Sequence, residues 1–423
     1  MTWLHLSLHE KGRYFVNEYH RIREHTTALC TNLKAEDYTV QPSCDVSPPK
    51  WHLGHTTWFF EELILVKNLP GYVRFDEQYR YLFNSYYKSA GEHWLQSHRG
   101  DLSRPAVDEI KRYRGYVDKH IQILLSQDLV NESLYSLLEI GLHHEQQHQE
   151  LLMMDIKYIF GCNPLALTYS NSHFECAQVG ESQWCSFTEG IYEIGAGGEG
   201  FAYDNEKPRH KSYSYPFIIA DNTVTNGEYL SFIEAGGYDR AEFWLSLGWD
   251  WLKHNGIKSP LYWREIEGQW YEFTLYGLMK LDLNAPVTHV SYFEADAYAN
   301  WAGMRLPTEQ ELEIYMQVDS ANLNKNIVKT EAIGQLIFHP NNSKARFGQI
   351  WCWSKSHYSG YPGYKPYQGM LTEYNGKFMC NQFVLKGGCV ATPTGHYRHS
   401  YRNFYQPHQR WMFSGIRLAK DIE

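Results

Sequence analysis

The chain lacks the features that would take it out of water or bind it to a polyanion. Nowhere in its 423 residues does an apolar run approach the roughly 18 needed to cross a bilayer, which argues against a membrane-spanning helix. Its opening stretch, MTWLHLSLHEKGRYF, interrupts apolar residues with His5, His9, Glu10 and Lys11, so no secretion signal is expected. No dense basic tract occurs, and 39 Lys+Arg against 48 Asp+Glu leave a net charge of -9, so nucleic acid is not an expected partner. Cysteine is sparse. The eight that occur have irregular spacing and form no C-x-x-C pair, which predicts reduced thiols and a cytoplasmic address rather than a disulfide framework. No convincing short internal repeat appears.

What the chain does have is ring chemistry: 33 Tyr, 14 Trp and 21 His, several of them close together. A hydrophobic fraction of 43% and a charged fraction of 21% describe an ordinary folded protein. At about 150 residues per domain, the length predicts two or three domains.

Residues 1–165 read as helical. Four apolar-periodic segments, FVNEYHRIREHTTALCTNL, SPPKWHLGHTTWFFEELIL, RPAVDEIKRYRGYVDKHIQILL and ESLYSLLEIGLHHEQQHQELLMMDIKYIF, predict a four-helix bundle. Ser47 is the expected N-cap of the second, with Pro48 in its first turn. The connection between the second and third is long, aromatic and polar, which predicts a functional loop rather than a plain linker. Residues 166–423 change texture to short β-prone pieces separated by Gly, Pro and Asn, so a second, α+β domain is expected. Within it YFEADAYANWAGMRL reads as an amphipathic helix and LPTEQELE as a turn.

The sharpest constellation is HHEQQHQE, residues 143–150. His144 and His148 stand four apart, so on a helix both imidazoles share one face and can grip a single metal ion. Asp155 falls near that face and could orient a ring. A His pair is also compatible with a polar surface or a satisfied core. The segment WHLGHTTWFFEE, with His52 and His55 on one face, adds the third imidazole that favours a metal. Two metal readings compete. Residues 144–148 spell H-E-x-x-H, which in a zinc peptidase uses Glu145 as general base. The other is a nonheme iron(II) centre of three neutral imidazoles, leaving positions open for substrates and dioxygen. Tyr86 and Tyr87 could deliver a proton or an electron there, although as isolated aromatics they are equally compatible with packing.

These residues resemble the ergothioneine-biosynthesis sulfoxide synthases, nonheme iron enzymes with a DinB-like N-terminal domain. The resemblance runs over nearly the whole chain: SPPKWHLGHTTWFFE, YLFNSYY and HHEQQHQE in the first half, then NEKPRH, VTNGEYLSFI, PVTHVSYFEADAYANWAGMRLPTEQELE, VLKGGC and YRNFYQPHQRWMFSGIRLA in a second half similar to formylglycine-generating enzymes. It implies a multidomain α and α+β fold: a DinB-like four-helix bundle (1–165) carrying the iron ligands, then a C-type-lectin-like, formylglycine-generating-enzyme-like domain (166–423) completing the substrate pocket. It further implies Fe(II) as cofactor, dioxygen as co-substrate, and small-molecule substrates: hercynine, whose imidazole C2 is joined to sulfur, and a thiol such as cysteine.

By the same resemblance His55, His144 and His148 match the iron ligands, with His52 and His143 as neighbours and Glu150 in support. Asn84, Ser85, Tyr86 and Tyr87 match a tyrosine-pair motif in which Tyr87, then Tyr86, supplies the catalytic hydroxyl. Gln147 and Asn403 resemble residues that hold substrate, with Phe404 and Tyr405 lining the pocket. A quaternary ammonium suits aromatic faces, and Arg99 is a candidate to hold the thiol substrate's carboxylate. Two departures matter. No cysteine follows Cys389, so the copper chemistry of formylglycine-generating enzymes is not expected, and EHWLQSH (92–98) lacks additional arginines that many members carry, leaving cysteine, γ-glutamylcysteine and a selenium donor as options. With no glycine-rich cofactor loop after YRNFY and no methyltransferase domain, the ergothioneine-type branch is favoured over the ovothiol-type one. A non-catalytic binding module is the remaining alternative.

Overall fold

In the computed structural model of the chain, which describes residues 3–88, 91–127, 130–171, 183–198, 200–318, 338–341 and 343–422, the first half is helical for reasons visible in each segment. Helix α1 (Leu8–Leu29) starts at Ser7, whose hydroxyl and Glu10 form a reciprocal capping box. It buries Phe15, Tyr19, Ile22, Thr26 and Leu29, one face at three- and four-residue spacing. Helix α2 (Pro49–Phe59) is capped by Pro48, one residue later than expected. Ser47 has other partners: its N–H donates to Asp155 Oδ2 at 2.8 Å and its hydroxyl accepts from Arg99 at 2.8 Å. All of α2 is buried, and it runs on through a π-helical segment, Phe60–Leu65. Helix α3 spans Val107–Leu125, and α4 spans Glu132–Cys162, capped by the Asn131 side chain.

Helix α1 packs on α3 and α4, and α2 packs on the same two, so the four close into a bundle. Two glycines permit close approach: Gly54 to the Phe83 ring, from the connection between α2 and α3, and Gly141 to the Phe60 ring that follows α2. A Cβ on Gly54 would lie 2.4 Å from the Phe83 ring, and one on Gly141 would lie 2.8 Å from Phe60. The interior also carries charge. Glu145 accepts from Arg23 at 2.9 Å, Arg114 at 2.5 Å and Thr26 at 2.7 Å, while Arg23 also reaches Asp118 at 2.8 Å. Losing one partner of such a network leaves an uncompensated buried charge, at a cost of about 3–5 kcal/mol.

The first compact unit comprises Met1–Asn163 together with Gly198–Phe201 and Pro366–Tyr374. The remaining described residues form the second. Its sheets are short: strands β1 (Trp184–Phe187), β4 (Phe217–Ala220) and β12 (Ala419–Asp421) form one; β2 (Gly190–Ile194) and β3 (His210–Ser214) a hairpin; β5 (Trp263–Ile266), β6 (Gln269–Thr274) and β7 (Gly277–Lys280) a meander; and β10 (Asn403–Tyr405), β9 (Phe383–Lys386), β8 (Trp351–His357) and β11 (Ser414–Gly415) the fourth, in that order. The first brings the C-terminus back onto β4, with Ala419 opposite Ile219. Its core gathers Phe217, Ile219, Leu312, Ile350 and Ala419. The segment expected as a turn, LPTEQELE, instead begins a helix at Glu309–Gln317, because Thr308 and Glu311 cap each other reciprocally. Among the described residues no helix is long and apolar enough to cross a membrane.

Candidate metal centre

Three imidazoles meet inside the bundle. His144 and His148 lie one turn apart on α4, His55 comes from α2, and each offers a nitrogen within 4.8 Å of the others. No carboxylate belongs to this group. The rings are locked by stacking: His55 between Trp51 (4.5 Å, 12°) and Trp58 (5.7 Å, 15°), His144 against Phe59 (4.5 Å, 27°). Burial lowers the pKa of all three, that of His144 to about 3, and for His55 and His148 the neighbouring imidazoles push in the same direction. All three are therefore neutral at physiological pH, the form that ligates.

The donor set fits a resident metal ion. The His55 Nδ1–H donates to the Phe83 carbonyl at 2.7 Å, since a carbonyl can only accept, and its Nε2 lone pair is left toward the other rings. His144 Nδ1 is buried with no hydrogen-bond partner among the described residues. Three neutral imidazoles without a carboxylate suit a borderline divalent metal. Glu145, the general base of the zinc-peptidase reading, is occupied elsewhere. Burial raises its carboxyl, but Arg114 and Arg23 outweigh that and hold it at about 2, and both of its oxygens accept hydrogen bonds in the charged network. It is not available to a substrate water.

His52 does not join the three. It lies between His148 Nδ1, at 2.9 Å, and Asp155 Oδ2, at 2.8 Å. His143 stacks on Phe201 at 3.7 Å and is also outside the group, and Glu150 is buried on α4. The tyrosine pair is built by Asn84, whose amide oxygen accepts from Tyr87 N–H at 3.1 Å while its NH2 donates to the Tyr87 carbonyl at 3.0 Å. Tyr87 is fully buried and stacks on Trp58 (5.6 Å, 26°), which also stacks on His55 (5.7 Å, 15°). Tyr86 stacks on Tyr87 at 4.8 Å and donates to the Tyr374 carbonyl at 3.4 Å.

Tyr374 was not singled out by sequence and carries no local signal; only its membership of the first unit brings it here. Its hydroxyl donates to Gln147 Oε1 at 3.0 Å and its ring lies 6.0 Å from that of His144. Gln147 is thereby left its NH2 to offer a ligand. Arg99 is buried rather than a surface charge, its guanidinium 3.2 Å from the centroid of Trp51. Burial pushes its pKa down to about 9 against the attraction of Asp155, and its Nε has no partner among the described residues. In the second unit Asn403, Phe404 and Tyr405 form β10. Asn403 Oδ1 accepts from Phe404 N–H at 3.0 Å, Phe404 stacks on Tyr358 at 4.0 Å, and Tyr405 is buried beside Trp411.

Comparison with known proteins places these features in context. Residues 18–152 match the DinB superfamily, and residues 176–319 match the sulfatase-modifying factor enzyme 1-like domain. A hercynine oxygenase of Mycobacterium tuberculosis is 31% identical over 305 residues, covering 66% of this chain and 70% of that one. One from Mycolicibacterium smegmatis is 32% identical over 252 residues, covering 53% and 57%. Ergothioneine biosynthesis protein 1 of Schizosaccharomyces pombe is 33% identical over 232 residues, covering 52% of this chain and 28% of that one.

Proposed function

The chain belongs to the hercynine oxygenase family, and on that premise we propose that it is an oxygen-dependent nonheme iron(II) sulfoxide synthase of ergothioneine biosynthesis, joining the sulfur of cysteine or a cysteine-containing thiol to the imidazole C2 of hercynine. In the overall reaction a C–H and an S–H bond are lost, a C–S bond forms, one atom of dioxygen goes to sulfur and the other leaves as water. The observation that carries this reading is the cluster of three buried imidazoles, His55, His144 and His148, with no carboxylate among them. His55, His144 and His148 would hold the iron, which supplies vacant coordination positions and the oxidising chemistry when bound.

The remaining roles fall to this chain's own groups. Tyr87, fixed by the Asn84 clamp and the Trp58 face, holds a proton at its hydroxyl for delivery during sulfoxide formation, with Tyr86 stacked behind it. Gln147, its oxygen taken by Tyr374, directs its NH2 at an acceptor on hercynine. Arg99, a buried guanidinium with hydrogen-bonding capacity left over, receives the carboxylate of the thiol substrate. Asn403, Phe404 and Tyr405 are assigned to hercynine binding by resemblance to the family's motif. A cytoplasmic setting fits the free cysteines of the described residues.

The test is anaerobic loading with iron(II), then air, hercynine and each thiol in turn, with products read by mass spectrometry. A coupled sulfoxide with one donor is expected. No coupled product with any thiol or selenol donor would overturn the assignment.

A further inference from the structure

Helix α4 places His148 and Asp155 seven residues apart, two turns along one face and about 10.5 Å in rise. One imidazole with a hydrogen bond at each nitrogen spans that gap, and α2 supplies it: His52 bridges from Asp155 Oδ2, at 2.8 Å, to His148 Nδ1, at 2.9 Å. Asp155 Oδ2 also accepts from Ser47 N–H at 2.8 Å, which pins the carboxylate. From this geometry we infer that His52 and Asp155 are positioning residues that decide which nitrogen of His148 can ligate and how strongly it donates. The inference rests on the metal reading above.

The chain of protons allows one arrangement compatible with ligation. A carboxylate only accepts, so the ring proton of His52 sits on Nε2 and its Nδ1 presents a lone pair. His148 must then donate from Nδ1, and its Nε2 is left as a free lone pair. With the opposite assignment His148 would carry its proton on Nε2 and could not bind a metal. The supports of His148 and His55 thus differ: His148 leans on a carboxylate through His52, His55 on the neutral Phe83 carbonyl. Support by an anion raises ligand basicity, so His148 is the stronger donor of the two. The relay also crosses between helices, so the tautomer is fixed by the same contact that docks α2 on α4.

The test uses the full chain and Co(II), whose binding is read by chelator competition and whose d–d absorption reports ligand strength, in the wild type, His52→Phe and Asp155→Asn. Asp155→Asn keeps an amide oxygen able to accept from both His52 and Ser47 N–H, so it removes charge with little change of shape. We expect one Co(II) per wild-type chain, affinity weakened about 10- to 100-fold in His52→Phe, and a smaller loss with shifted d–d bands in Asp155→Asn. If His52→Phe does not fold by circular dichroism, Asp155→Asn decides alone. Folded variants that bind Co(II) within twofold of wild type with unchanged bands would overturn the inference. A wild-type chain that takes up no Co(II) would instead overturn the metal centre and the proposed function with it.

Discussion

The Tyr374 hydroxyl donates to Gln147 Oε1 at 3.0 Å, and the Tyr374 carbonyl accepts from the Tyr86 hydroxyl at 3.4 Å. One residue thus orients a side chain on α4, between His144 and His148 in the chain, and half of the tyrosine pair. Replacing Tyr374 by Phe removes only the first bond. If Gln147 has the role proposed above, its amide then loses the bond that keeps its NH2 toward substrate, so KM for hercynine should rise several-fold with a smaller change in kcat. Iron content should not change. Steady-state kinetics beside metal analysis checks this, and a loss of iron would show that Tyr374 supports the ligands instead.

Tyr87→Phe keeps the ring against Trp58 and removes the hydroxyl. Positioned proton transfer contributes typically about 10²–10⁴-fold. Sulfoxide yield should fall within that range while iron remains bound. An unchanged yield would move the proton-transfer role to Tyr86 or elsewhere.

Gly54→Ala puts a methyl group 2.4 Å from the Phe83 ring, which follows directly on the bond from His55 to the Phe83 carbonyl. The ring must shift, at an overpacking cost of about 1–3 kcal/mol, and the support of His55 shifts with it. Lower thermal stability and weaker metal binding should appear together. Weaker stability with unaltered metal affinity would uncouple Phe83 from the centre.

Glu145→Gln separates the two readings of H-E-x-x-H. Here the side chain compensates Arg23 and Arg114 inside the bundle, both almost fully buried. The substitution should destabilise the fold by about 3–5 kcal/mol in denaturant titration. A stable, folded variant that had lost a peptidase activity present in the wild type would restore the hydrolytic reading.

Glu61 predicts a pH dependence. Burial raises its carboxyl above the ordinary 4.5, against the opposing Tyr113 and Tyr72 hydroxyls and the Phe75 N–H. Folding therefore favours the protonated form. The contribution is complete below the unfolded value and is lost as pH rises through the folded one. Glu61→Gln should remove that loss, so its melting temperature should gain on the wild type as pH rises from about 4.5 toward neutrality. Parallel curves would mean that Glu61 does not titrate between the two states.

The four bundle helices, the second-domain texture and the candidate histidines were legible in the chain because each depends on local spacing. Periodicity puts Phe15, Tyr19 and Ile22 on one face, and a four-residue interval puts His144 beside His148 whatever surrounds them. The capping pair Thr308 and Glu311 was equally local, so the helix at Glu309–Gln317 could have been anticipated in place of a turn. Tertiary structure decided what local spacing cannot encode. That His55 meets the pair while His52 supports it depends on how α2 is rotated against α4, and two histidines three apart on one helix face look alike until the partner helix is docked. The burial of Arg99 on Trp51 and the placing of Tyr374 beside Gln147 are contacts across 48 and 227 residues of chain. Such contacts are set by which surfaces the folded helices leave open, and no periodicity in either segment records them.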